Sequence, residues 1–196
     1  MILIKMTEIL LEHIKKFIPV SEKLTERLIE ISEIKIIDKG KFLHKPNRVC
    51  QETYFINSGL LRIFYKKGDK EVTDNFSAEG EWITSIYSFM KNVPDNCFIE
   101  ALEKSELIAV NIEKLEKCFM DFTQMERFGR FLISQYFLEQ SERIISLQFH
   151  SAKERYEFFK NTSKNKILRV PLGMLASHLG ITQETLSRIR AEKNIF

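Results

Sequence analysis

The feature that most restricts what this chain can fold into lies near its C-terminus: Pro171-Leu172-Gly173-Met174-Leu175-Ala176-Ser177-His178-Leu179-Gly180-Ile181-Thr182-Gln183-Glu184-Thr185-Leu186-Ser187-Arg188-Ile189. Counted from Leu172, a small residue stands at position five (Ala176) and glycine at nine (Gly180), with apolar residues at four, eight, ten, fifteen and eighteen (Leu175, Leu179, Ile181, Leu186, Ile189). This is the grammar of a helix-turn-helix. Ala176 lets the second helix approach closely, Gly180 can take the left-handed conformation of a tight turn, and the five apolar side chains seal the pair. Thr182 is a natural cap for the second helix, with Gln183 and Glu184 in its first turn.

Opposite Leu186 and Ile189, the second helix presents Gln183, Glu184, Ser187 and Arg188 on one face. These side chains suit a DNA groove: Arg pairs bidentately with guanine, Gln with adenine, and Glu accepts from cytosine, while Thr182 and Thr185 can hold phosphates. The same residue types furnish any solvated helix, so the reading draws its force from the buried grammar beside them. Charge points the same way. From His150 to Phe196 there are nine Lys and Arg against four Glu, whereas the rest of the chain carries 21 basic and 23 acidic residues.

The N-terminal part differs. Apolar positions from Thr7 to Ile31 recur at helical spacing, broken at Ile18-Pro19-Val20-Ser21, and predict two short helices. From Ile34 to Asn111 short apolar or alternating runs follow: Ile34 to Ile37, Thr53 to Ile56, Leu61 to Tyr65, Val72 to Phe76, Phe98-Ile99 and Leu107 to Val110. Turn signals at Gly40, Gly59, Gly68, Gly80 and Pro94-Asp95-Asn96 separate them, which predicts an antiparallel roll or barrel. A long helix is then expected from near Gln124 to Phe149, with Met125, Phe128, Leu132, Tyr136 and then Ile144 and Leu147 as an apolar stripe. That stripe either packs on the chain's own sheet or pairs with a second copy. The homodimer is the expectation, because Gly129 permits close approach and a paired DNA reader needs two-fold symmetry. Ser151 with Glu154 resembles a capping box opening another helix, and Asn161 to Lys166 reads as a linker.

These parts predict an α+β protein in three segments: a β-roll sensor with flanking helices (1–120), a central dimerisation helix (121–149) and a helix-turn-helix domain (150–196). No apolar run approaches a membrane span, and Met1 to Lys5 lacks the marks of a secretory leader, so the expected location is cytoplasmic and no membrane partner is expected. Cys50, Cys97 and Cys118 are too scattered for a disulfide framework or a metal site. His13, His44, His150 and His178 are isolated in sequence, and there is no Gly-rich phosphate loop, nucleophile elbow or zinc spacing. An enzyme, a metal and a cofactor are therefore not expected. The competing class is a ligand-responsive module whose helix-turn-helix contacts protein instead of DNA.

From Ile34 to Phe196 the chain resembles the Crp/Fnr superfamily of bacterial transcription regulators. Phe98 to Leu107, Ala152 to Tyr156, and Arg169 to Leu172 with Ser187 to Arg190 resemble its Bacteroidetes-type branch. The resemblance implies a jelly-roll-like, cyclic-nucleotide-binding-like β-roll, a dimerising central helix and a C-terminal winged helix-turn-helix. It places Gln183, Glu184 and Arg188 at base-reading positions with Thr182 and Thr185 near the backbone, and implies double-stranded DNA and RNA polymerase as partners. Two departures stand out. The family's β-hairpin wing has no counterpart before Phe196, and the effector-pocket positions look like Thr84-Ser85 and Asp95-Asn96 where cyclic-nucleotide binders carry Gly-Glu and Arg-Ser or Arg-Thr. An Asp facing the cyclic phosphate exchanges attraction for repulsion, so cyclic AMP is disfavoured, and the effector is another small molecule or none. Three scattered cysteines likewise do not support the family's iron–sulfur version.

Overall fold

The computed structural model describes the backbone of residues 2–192 and the side chains from Thr7 to Glu192. Lys193 and the expected absence of a wing lie outside the described residues.

Two helices lead, α1 (Ile2–Lys15) and α2 (Glu22–Ile31), the second capped by Ser21, whose hydroxyl accepts from the Leu24 N–H. Eight strands follow: β1 (Ser32–Ile37), β2 (Phe42–His44), β3 (Glu52–Ser58), β4 (Leu61–Lys67), β5 (Lys70–Ser77), β6 (Trp82–Ile83), β7 (Cys97–Ala101) and β8 (Ser105–Asn111). They form two antiparallel four-stranded sheets, ordered β1-β8-β3-β6 and β2-β7-β4-β5. A short α3 (Ile86–Lys91) interrupts the roll between β6 and β7. Gly59, at φ +113, makes the turn between β3 and β4 so close to Ser105 that a Cβ there would collide with it.

The period-two alternation of the strands divides the interior. Tyr54 and Ile56 on β3, with Leu107 and Ala109 on β8, enter the space between the sheets beside Leu61, Ile63 and Ile99. Phe55, Ile108 and Val110, one residue out of step, point to the other side. There they meet α1, α2, α4 (Ile112–Asp121) and the start of α5 (Thr123–Phe149). Both faces of the sheet are thus covered, which accounts for strands that read as continuous apolar runs.

Three helices complete the described chain: α6 (Ala152–Thr162), α7 (Leu172–His178) and α8 (Gln183–Glu192). At α6 the expected capping box forms, with Ser151 Oγ accepting from the Glu154 N–H and Glu154 accepting from the Ser151 N–H. These helices do not build a separate core. Leu60, Phe76, Ala78 and Leu102 of the roll pack with Tyr156, Phe159, Leu175, Ala176, Leu179, Leu186 and Ile189.

Two expectations are corrected. Met125 and Phe128 are not available to a second copy: each is 2% exposed, packed against Leu10, Ile14, Phe55 and Ile108 of the same chain. And Asn161 to Lys166 is no free linker, because α6 runs to Thr162 and Lys166 is buried, its ammonium 2.8 Å from both carboxylate oxygens of Glu81 and 3.1 Å from the Phe76 carbonyl.

Candidate functional site

The α7–α8 pair has the geometry its spacing requires. Gly180 sits at φ +66, and the turn closes with the Ile181 N–H donating to the Ala176 carbonyl (3.0 Å) and the Gly180 N–H to that of Ser177 (3.2 Å). Leu175, Ala176, Leu179, Leu186 and Ile189 are buried and Ile181 is half-buried. Thr182 Oγ1 accepts from the Thr185 N–H at 3.2 Å, capping α8.

With Leu186 and Ile189 facing inward, Thr182, Gln183, Glu184, Ser187 and Arg188 are exposed and Thr185 half-buried. Its own backbone N–H and the Thr182 hydroxyl lower the pKa of Glu184, so that carboxylate stays ionised. The arrangement is a rigid helix with a row of donors and acceptors directed outward, held at its base by two buried apolar residues.

Not all the basic residues of this region can serve a polyanion. Arg169 pairs with Glu79 (2.8 Å) and Glu103 (2.6 Å), Lys166 with Glu81, and Lys153 with Glu192 (3.5 Å). Arg169 holds Glu79 well below the usual carboxylate range, at about 2. Lys160, Lys164 and Arg188 remain exposed.

The helix pair is bolted to the roll through α7. Ser177 Oγ accepts from the Thr73 N–H (3.0 Å) and donates to the Glu71 carbonyl (2.8 Å), covering the free edge of β5. Beside it Arg143 of α5 donates to the His178 carbonyl (2.9 Å) and the Thr73 carbonyl (3.0 Å). His178 Nδ1 lies 2.9 Å from both Arg143 Nη1 and the Asp74 carbonyl oxygen, and burial and the guanidinium push its pKa down to about 3, so the ring is neutral. Three elements, α5, α7 and β5, thus meet at one polar node that no sequence signal marked.

Between the roll and α5 lies a cleft of about 710 Å³, lined by Trp82, Thr84 and Phe89 on one side and by Leu132, Tyr136 and Glu139 on the other. Of the four expected effector residues, only Thr84 lines it. Ser85 is buried and donates to Asp95, whose other carboxylate oxygen lies 2.8 Å from His44 Nε2 and accepts from the Cys97 N–H at 3.1 Å. Asn96 is exposed on the surface. Ser85 and Asp95 therefore do come together, but in a closed cluster with His44. Leu132 and Tyr136, expected at the dimer contact, face this cleft as half-buried residues.

About a quarter-turn round α5 from them runs a second, exposed stripe, which takes in Ile144 and Leu147 and whose Ile133 and Leu147 border the cleft as well. Ile133, Phe137, Ile144 and Leu147 are 42%, 69%, 55% and 41% exposed, flanked by Leu138 and Ile145. With Gln140 they follow the alternating four- and three-residue step of a heptad seam.

Residues 34–122 match the family model of the cyclic nucleotide-binding domain. The structure of FixK2 from Bradyrhizobium japonicum superposes with a TM-score of 0.74 at 16% identity, over 83% of this chain and 84% of that one. A regulator described as of the Crp/Fnr family from Eubacterium rectale gives 0.69 at 18% identity, over 92% and 88%. The chain has the Crp/Fnr fold. A third structure with this fold, the catabolite activator protein of Thermus thermophilus, gives 0.57 at 20% identity, over 91% and 87%. No curated protein sequence matches the chain. In this fold α5 is the long helix that runs from the β-roll toward the α6–α8 helices. Among the described residues no helix is long and apolar enough to cross a membrane, and no group of His, Cys, Asp and Glu is placed to hold a metal ion. Cys50, Cys97 and Cys118 are buried free thiols.

Proposed function

We propose that this protein is a cytoplasmic, sequence-specific DNA-binding transcription regulator that acts as a homodimer and controls access of RNA polymerase to its sites. The reading divides the chain into a sensor (1–120), a connecting and dimerising helix (121–149) and a DNA-binding segment (150–196), with no catalytic role. Its main support is the outward face of α8, where Gln183, Glu184, Ser187 and Arg188 stand exposed on a helix sealed from behind by Leu186 and Ile189. A rigid helix of this kind fits the major groove, with Thr182 and Thr185 near phosphates. The dimer is assigned to the outer stripe of α5, centred on Phe137 and Ile144, instead of the inner one.

Cyclic AMP is not the effector in this reading. By the resemblance Asp95 matches the position of the cation that meets the cyclic phosphate, and its carboxylate is committed to Ser85, His44 and the Cys97 N–H.

The test is a duplex titration by fluorescence anisotropy. Arg188→Ala should weaken binding to the cognate site by about 1–3 kcal/mol and relax preference at one base pair per half-site. Unchanged affinity and base preference would remove Arg188 from the interface.

A further inference from the structure

The cleft beside α5 ends in an aromatic lining. The Trp82 ring lies 5.3 Å from Phe55 and 6.2 Å from Phe128, and the His13 ring lies 5.0 Å from Phe55 and 6.2 Å from Phe128. Trp82, His13 and Phe128 all line the cleft. Two polar atoms in this lining, Trp82 Nε1 and His13 Nε2, are shielded from solvent and have no hydrogen-bond partner in the protein. Buried polar groups are nearly always paired, and an unpaired one next to a cavity of ligand size points to a partner that is not protein. An indole N–H can only donate, so that partner must present an acceptor.

Charge narrows the choice further. Burial raises the pKa of Asp74 and of Glu139, the latter also through repulsion from Glu81, and all three carboxylates line the cleft. Among the cations of the lining, Arg143 is committed to the carbonyls of His178 and Thr73, Lys166 to Glu81, and Arg155 of α6 donates to the His150 carbonyl. Burial and nearby Lys16 lower the pKa of His13, leaving its ring neutral. An anion entering here would face three carboxylates, and each cation of the lining already has a protein acceptor.

We infer that the apolar end of this cleft, bounded by Trp82, His13, Phe128 and Leu132, binds an uncharged small molecule with an apolar body and a carbonyl-type oxygen that accepts from the Trp82 indole, whose shielded N–H is turned into the cleft by a side-chain rotation on binding. The inference rests on the reading of the roll as a sensor and supplies the chemical class of its effector. It also gives the ligand a route to the DNA-binding segment, because Leu132 and Arg143 lie on the same face of α5, about three turns apart, and Arg143 holds His178 of α7.

The chain has one tryptophan, so ¹⁵N-labelled full-length protein gives a single indole cross-peak. Titration with 2-nonanone should move that peak in a saturable way, and nonanoate, of equal length but charged at pH 8, should bind at least about tenfold more weakly. By calorimetry Trp82→Phe, which keeps the ring and removes the donor, should weaken the ketone about fivefold and leave nonanoate unchanged. Should that variant fail to fold, the wild-type titration alone decides. An indole peak unmoved by the ketone at millimolar concentration, nonanoate binding as tightly as the ketone, or a folded Trp82→Phe that binds the ketone equally well would each overturn the inference. No DNA is present in these experiments, so their failure leaves the DNA-binding reading to its own test.

Discussion

Replacing Phe137 and Ile144 by Glu should convert the protein from dimer to monomer without unfolding it. Phe137 is 69% exposed in the single chain, which leaves roughly 140 Å² of a side chain of about 200 Å² to be covered by a partner. At about 25 cal/mol per Å² that is ~3 kcal/mol for each copy, and two-fold symmetry counts it twice. Area converts to affinity inefficiently, because ordering side chains at the contact has its own cost. Taking half the total still leaves about 3 kcal/mol, or more than two orders of magnitude in Kd. Ile144, 55% exposed and two turns further along the same seam, adds to the loss, as do facing like charges. Light scattering and sedimentation at micromolar concentration read the mass, and a thermal melt reads the fold. Met125→Glu is the contrasting control: at 2% exposure it places a charge in the core and should lower the melting temperature instead of splitting the dimer. A double variant that remains dimeric, or a wild type that is monomeric with and without DNA, refutes the reasoning.

Cyclic AMP should bind no more tightly than roughly millimolar by calorimetry, and a Kd near or below about 10 μM would mean that the Asp95 cluster opens to admit it. His178 gives a pH signature. Its pKa in the folded chain is pushed down to about 3 from an ordinary 6.5, so the unfolded chain takes up the proton first; the stability it supplies is full above pH 6.5 and is lost progressively as pH falls toward 3. His178→Gln should therefore flatten the drop in melting temperature between about pH 7 and pH 5, and an identical slope in both proteins would contradict the neutral buried ring. Leu175→Ala, at a side chain with no exposed surface, should cost about 2–5 kcal/mol in a denaturant titration; a loss below about 1 kcal/mol would mean that the α7–α8 core is not packed as described.

Much of this architecture is legible in the sequence because it rests on local rules. Tyr54-Phe55-Ile56 alternates between two buried faces, Gly180 does adopt positive φ, and Ser151 with Glu154 caps α6. Short elements are harder. β2 has three residues and β6 two, too few for periodicity to register, and the break between α4 and α5 at Phe122 carries no Gly or Pro. The misplaced dimer stripe has a different cause. α5 is apolar over two adjoining stripes, one on the roll and one exposed, so the spacing merges Ile144 and Leu147 with the first and cannot say which stripe meets which partner. Lys166, Arg169 and Arg143 were legible only as surface charge, since Glu79, Glu81, Glu103 and the Thr73, Phe76 and His178 carbonyls that they meet lie from 35 to 90 residues away in sequence. The closed cluster of Ser85 and Asp95 was hidden for a related reason: the His44 that completes it comes from β2, a strand the pattern did not reveal.

On the proposed function, two α8 helices, set by the outer seam of α5, read DNA as a symmetric pair. Selection of bound duplexes from a random pool by the full-length protein, followed by sequencing, tests this most directly. The prediction is enrichment of a site with two-fold related half-sites about one helical turn, or ~10 base pairs, apart. Arg188→Ala should blur one position in each half, and Phe137→Glu with Ile144→Glu should abolish the enrichment. A pool that shows no sequence preference, or a single half-site enriched equally by wild type and the double variant, would contradict it.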